Sequence, residues 1–141
     1  MARDNQLDKL AEVPLFSACS RKDLQKIAKA SDEVDVKAGR VLVDQGKTGH
    51  EFFLILDGNA TVRQNNRKVA SLTAGDYFGE LALLSREPRD ATVTADTDMK
   101  LLILGQREFT GLIDTVPGLA AKILSIMARR LRQADLKNVR H

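Results

Sequence analysis

The apolar residues of this chain change their spacing twice. In the N-terminal part they recur at helical intervals: Leu7, Leu10 and Ala11 form a short stripe that Pro14 ends, and Leu24, Ile27 and Ala28 line a second segment. Ser20 stands before that second segment with Asp23 three residues on, the residue types of a capping box, so a helix starts there. From Val34 to Leu104 the pattern shortens to runs rich in Val, Ile, Leu, Thr and Phe. The predicted strands are Val34–Val36, Arg40–Asp44, Glu51–Leu56, Ala60–Gln64, Lys68–Leu72, Ala91–Ala95 and Met99–Leu104. Between them stand turn residues, of which Asp57-Gly58 and Asn65-Asn66 are hairpin signals because both tolerate positive φ. Beyond Leu104 the helical period returns, over Gln106 to Asp114 and then from Pro117, which suits a first helical turn, to about Asn138.

Seven or eight short strands without intervening helices predict an antiparallel barrel or roll. The expected fold class is therefore α+β, an antiparallel barrel or roll flanked by N-terminal and C-terminal helices. No repeat or flexible linker breaks the chain, so one domain is expected over 1–141: helical over 1–33, β-roll over 34–104, helices over 105–138. In the last helix Ala120, Leu124, Met127, Leu131 and Ala134 recur like the a and d positions of a heptad. That seam either packs on the roll or pairs with a second copy.

With 43% hydrophobic and 29% charged residues in 141, the chain can bury its own core. It has no apolar run of the roughly 20 residues that span a bilayer, and no apolar stretch of a secretory signal at its start. Cys19 is the sole cysteine, which excludes an internal disulfide and a multi-cysteine metal site, and a cytoplasmic location is the default. The net charge is +3, and residues 119–141 alone carry about +5. A basic terminal helix can touch nucleic acid or an acidic partner, or simply be a solvated face.

One segment interrupts the β pattern, Gly79 to Arg89, and insertions on a regular scaffold are where binding residues gather. Gly79 lets a backbone approach a phosphate closely. The apolar turn Leu81-Ala82-Leu83-Leu84 offers free N–H groups at its start, which favour an anion. Arg89 presents a planar fork of donors to the same phosphate. Glu80 repels phosphate, so its natural partner is a hydroxyl, for example on a ribose. A carboxylate and an arginine around a short helix point to a nucleotide.

The stretch F-G-E-L-A-L-L-x-x-x-P-R-x-A-T-V resembles the phosphate-binding cassette of cyclic nucleotide-binding domains, as in the catabolite activator protein and the regulatory subunit of protein kinase A. The resemblance extends over roughly residues 10 to 135, with the cassette at 78–91, and implies helices, then an antiparallel β-roll of the jelly-roll type with an inserted short helix, then two helices. It implies that Glu80 accepts the ribose 2′-hydroxyl and that Arg89 pairs with the cyclic phosphate. Backbone N–H groups near Ala82 and Asp90 would complete the cradle, Gly79 and Leu81 would line it, and Ala91 closes the motif. cAMP is the expected ligand, cGMP the less favoured one. Asp90 departs from the family, where this position is usually Ala, Ser or Thr. Its carboxylate either points to solvent and lends only its backbone N–H, or accepts from the guanine amino group and favours cGMP, or marks an altered pocket. No aromatic residue follows Phe109, so a stacking lid from the last helix is unavailable; Leu124, Met127 or Leu131 would cover the base apolarly.

Other motifs carry less. Gly46-Lys47-Thr48 imitates the end of a P-loop, but the required glycine is replaced by Val41 and no helix follows. His50 and His141 are isolated, so no metal site is expected. Phe52, Phe53, Ile55 and Leu56 read as core, and Tyr77 and Phe78 as packing under the cassette. No nucleophile–base pair is visible, so binding without catalysis is expected, with no cofactor. The leading function is a regulatory sensor of cAMP that relays its occupancy through the helices after Leu104. The alternative is a nucleotide-independent dimerisation or interaction module working through residues 117–138. An unknown effector protein is the other possible partner; DNA is not expected from this chain alone, nor is a membrane.

Overall fold

The structure, a computed structural model, describes residues 2–83, 88–116 and 118–139, without the side chains of 2–5, 80, 81, 130 and 134–139. Helix α1 spans Ala2–Ala11 and is followed by a turn of 3-10 helix, Pro14–Phe16. Helix α2 spans Arg21–Ala30 and begins as its sequence requires. The Asp23 amide donates to Ser20 Oγ at 3.1 Å, and the Ser20 amide donates to Asp23 Oδ2 at 3.2 Å.

Among the described residues eight strands follow: β1 Asp32–Val36, β2 Val41–Val43, β3 Glu51–Asp57, β4 Ala60–Gln64, β5 Arg67–Leu72, β6 Tyr77–Phe78, β7 Thr92–Ala95 and β8 Met99–Gly105. They form two antiparallel sheets, ordered β1-β8-β3-β6 and β2-β7-β4-β5. The expected β-roll is thus present, with one strand more than the apolar runs marked. Tyr77–Phe78 is too short to show a period of its own, and pairing with Phe53 and Leu54 of β3 makes it a strand. Asn65 and Asn66 take φ of 52° and 67° at the β4–β5 turn, the conformation their side chains tolerate.

The two sheets explain why β3 reads as a continuous apolar run. Phe53 and Ile55 face Val93, Ala95 and Ala60 of the second sheet. Phe52 and Leu54 face the other way, into a core with Leu7, Leu10, Phe16, Leu24, Ile27 and Phe109 from the helices. A strand covered on both faces has no polar side to alternate with.

Helix α3 covers Gln106–Ile113 and helix α4 Leu119–Val139. The heptad-like seam of α4 does not pack on the roll. Leu124, Met127 and Leu131 are 69%, 44% and 66% exposed. The residues that do pack are Leu119, Ile123 and Ile126, a neighbouring stripe at the same helical spacing. Pro117, Arg140 and His141 lie outside the described residues, as do the side chains of Ala134 and Lys137.

Candidate functional site

The inserted segment leaves β6 at Gly79, makes a 3-10 turn over Glu80–Leu83, and from Pro88, which bridges to Thr48, leads into β7 of the second sheet. Its seat is aromatic. Phe78 stacks on Phe53 at 4.7 Å and 8°, and Tyr77 lies 6.0 Å from Phe52. Tyr77 and Phe78 therefore anchor the segment to opposite faces of β3.

Arg89 is held by its backbone and its side chain at once. Its amide donates to the Lys47 carbonyl at 2.8 Å, its carbonyl accepts from Gly46 at 2.9 Å, and Thr48 bridges to Pro88. The P-loop imitation is thus a backbone rail for Arg89. The guanidinium then lies 5.9 Å from the Phe53 ring, and Nη2 donates to the Glu51 carbonyl at 2.8 Å.

Two glycines make room for this guanidinium. A Cβ on Gly49 would overlap Arg89 Nε and Cζ. At Gly79, where φ is 83°, a Cβ would stand 2.6 Å from both Arg89 Nη1 and the Glu51 carbonyl oxygen. Gly79 was expected to admit a phosphate; in the structure it makes room for the arginine.

Arg89 Nε is buried and has no hydrogen-bond partner among the described residues. Burial pushes the guanidinium below its ordinary pKa range, while the nearby Glu51 carboxylate acts in the opposite sense. An arginine stays charged at neutral pH under such conditions. A buried cationic donor without an acceptor costs about 1–3 kcal/mol or more, which an anion at that atom would offset.

Ala82 and Leu83 are buried, and the Ala82 amide, expected to point at a phosphate, donates to the Gly79 carbonyl at 3.0 Å. The Asp90 side chain is exposed and Ala91 half-buried. Leu84 lies outside the described residues, as do the side chains of Glu80 and Leu81, the expected ribose acceptor and cradle wall. The structure adds four participants that no motif marked: Gly49, the carbonyl of Glu51, the Phe53 ring and Gln106. The Gln106 side chain donates to the Ala82 carbonyl at 3.2 Å. Among the described residues no cluster of three or more His, Cys, Asp or Glu could hold a metal ion, and no helix is long and apolar enough to cross a membrane.

A desolvated arginine beside an inserted turn, on a two-sheet roll, can be compared with known proteins. The sequence profile of the cyclic nucleotide-binding domain matches residues 33–116. The chain belongs to the cyclic nucleotide-binding domain family. The cAMP-dependent protein kinase regulatory subunit of Schizosaccharomyces pombe is 44% identical over 105 residues, 74% of this chain and 26% of that protein. The chain spans about a quarter of the length of such curated relatives. The N-terminal domain of a transcriptional regulator from Streptomyces coelicolor superposes with a TM-score of 0.81 at 30% identity, covering 91% of this chain and 92% of that one. The regulatory domain of Toxoplasma gondii protein kinase A, solved with cAMP, superposes at 0.73 and 30% identity, over 78% of this chain and 44% of that one. The inserted segment lies within the matched residues.

Proposed function

We propose that residues 1–141 act as one regulatory unit that binds cAMP at the cassette and releases it unchanged. The observation that carries this reading is the buried Nε of Arg89, which has no partner among the described residues and is a cationic donor prepared for an anion. In this reading Arg89 holds the cyclic phosphate, Glu80 takes the ribose 2′-hydroxyl, and Gly79, Leu81, Ala82 and Ala91 form the walls. The Ala82 amide turns from the Gly79 carbonyl toward the phosphate when ligand arrives. The cAMP complex of the Toxoplasma gondii domain supports cAMP as the ligand.

Asp90 is exposed, which favours the reading in which its carboxylate faces solvent and only its backbone serves the site. The ligand signal passes to α3 and α4 by differential affinity for two arrangements of the cassette. The exposed stripe Leu124, Met127, Leu131 on α4 pairs with a second copy, or receives the effector that reads the signal.

Thermal unfolding with cAMP, cGMP and 5′-AMP tests the ligand. A ligand at a hundred times its Kd stabilises the folded state by about 2.7 kcal/mol. cAMP is expected to raise Tm more than cGMP, 5′-AMP not at all, and Asp90→Ala to leave the cAMP shift intact or larger. Loss of only the cGMP shift in Asp90→Ala would instead assign Asp90 to guanine, and recovery of 5′-AMP from incubated cAMP would refute binding without chemistry.

A further inference from the structure

We infer that Gln106 is a positioning residue that ties the cassette turn to the first turn of α3, so that occupancy at Arg89 sets the order of that helix. This rests on the nucleotide-binding reading above and names its coupling element. Helix α3 starts at Gly105, which contributes no side-chain cap. The first helical N–H groups then need other acceptors. The Gln106 amide finds one in the His50 carbonyl, at 2.7 Å. The next residue, Glu51, pairs with Gly105 across β3 and β8, and its carbonyl accepts the Arg89 guanidinium at 2.8 Å. On the other side, Gln106 Nε2 reaches the Ala82 carbonyl at 3.2 Å.

Gln106 thus touches both walls of the site, the segment that holds Arg89 and the turn that follows Gly79. Phe109 and Leu112 are buried and fix the body of α3, so the first turn is the part these bonds govern. A shift of Ala82 or of the Glu51 carbonyl on ligand binding must break, bend or carry along a bond to this turn. The glutamine is the only side chain among the described residues that is bonded to the cassette turn from α3.

Gln106→Met keeps the bulk of the side chain and removes the donor; Gln106→Lys removes the amide but keeps a donor of similar reach. Hydrogen exchange over residues 79–83 and 106–113, with and without cAMP, and calorimetric cAMP affinity are to be compared with wild type. One neutral hydrogen bond corresponds to about two- to tenfold in an equilibrium. Gln106→Met is expected to exchange faster by about that factor over 79–83 without ligand and to bind cAMP that much more weakly. It is also expected to lose most of the protection cAMP gives residues 106–113, which Gln106→Lys restores. Wild-type exchange in Gln106→Met, or full cAMP protection of α3 without the donor, would overturn the inference. If wild type binds no cAMP, the nucleotide reading fails, while exchange over 79–83 in the ligand-free variants still decides the tie. Should Gln106→Met not fold, Gln106→Glu, which keeps the shape and replaces the donor with an acceptor, decides instead: faster exchange over 79–83 supports the donor requirement, and wild-type exchange overturns it.

Discussion

Arg89 shows how a residue legible in sequence depends on residues that are not. The cassette motif marks the arginine, but its position is set by Gly49, Gly79, the Glu51 carbonyl and the Phe53 ring. Gly49 has an ordinary backbone conformation, so no turn rule calls for glycine there; the need comes from the guanidinium lying against it. A Gly49→Ala substitution therefore tests space and not backbone strain. We expect it to fold and to weaken cAMP by about tenfold or more, because a charge-assisted bond at Arg89 is worth about 1.5–3 kcal/mol. Calorimetry on this variant checks it, and unchanged affinity would mean that the arginine binds in another rotamer. The Cys19 thiol is pushed above its usual pKa by burial first and by the Asp23 carboxylate second, which fits a packing role and not a reactive one.

Among the elements, the helices and the longer strands were readable because each carries its own period or cap, as Ser20 and Asp23 do for α2. The two-residue strand β6 carries neither, and only its partner β3 defines it. The stripe on α4 was readable as a stripe, but not which of two adjacent stripes would meet the core. Helix period alone gives faces, and packing selects between them. Turns between strands are also tied across the sheets. Asp98 accepts the Ala38 amide at 3.0 Å and lies 3.6 Å from Lys37 Nζ, joining the β1–β2 turn to the β7–β8 turn. The Ala38 amide first, and Lys37 second, hold its carboxyl below the ordinary value of 3.8. A carboxyl depressed on folding contributes stability above its unfolded value and loses it as pH falls through the lower, folded one. Urea unfolding of wild type and Asp98→Asn should therefore differ at neutral pH and converge as pH drops below 3.8. A difference that persists unchanged into acid would contradict the tie.

The whole molecule combines a roll buried on both faces of one sheet with a helix, α3, whose first turn is bonded to the cassette turn. The fold class followed from the order of periods, and the family from one ungapped stretch. The coupling between cassette and helices, by contrast, depends on tertiary contacts such as that of Gln106 with Ala82. The exposed apolar stripe on α4 belongs to the same level of organisation. Light scattering is expected to give a dimer mass that Leu124→Lys with Leu131→Lys reduces to a monomer. A wild-type monomer at every concentration would assign the stripe to an effector instead.

The most direct test is calorimetric titration of cAMP into protein refolded to remove any carried-over ligand, with Arg89→Ala in parallel. Saturable binding by the wild-type chain, weakened at least ten- to a hundredfold in Arg89→Ala, is the predicted result. No heat from folded wild-type protein, or equal binding by the variant, would contradict the assignment of Arg89 as the phosphate-binding residue of this domain.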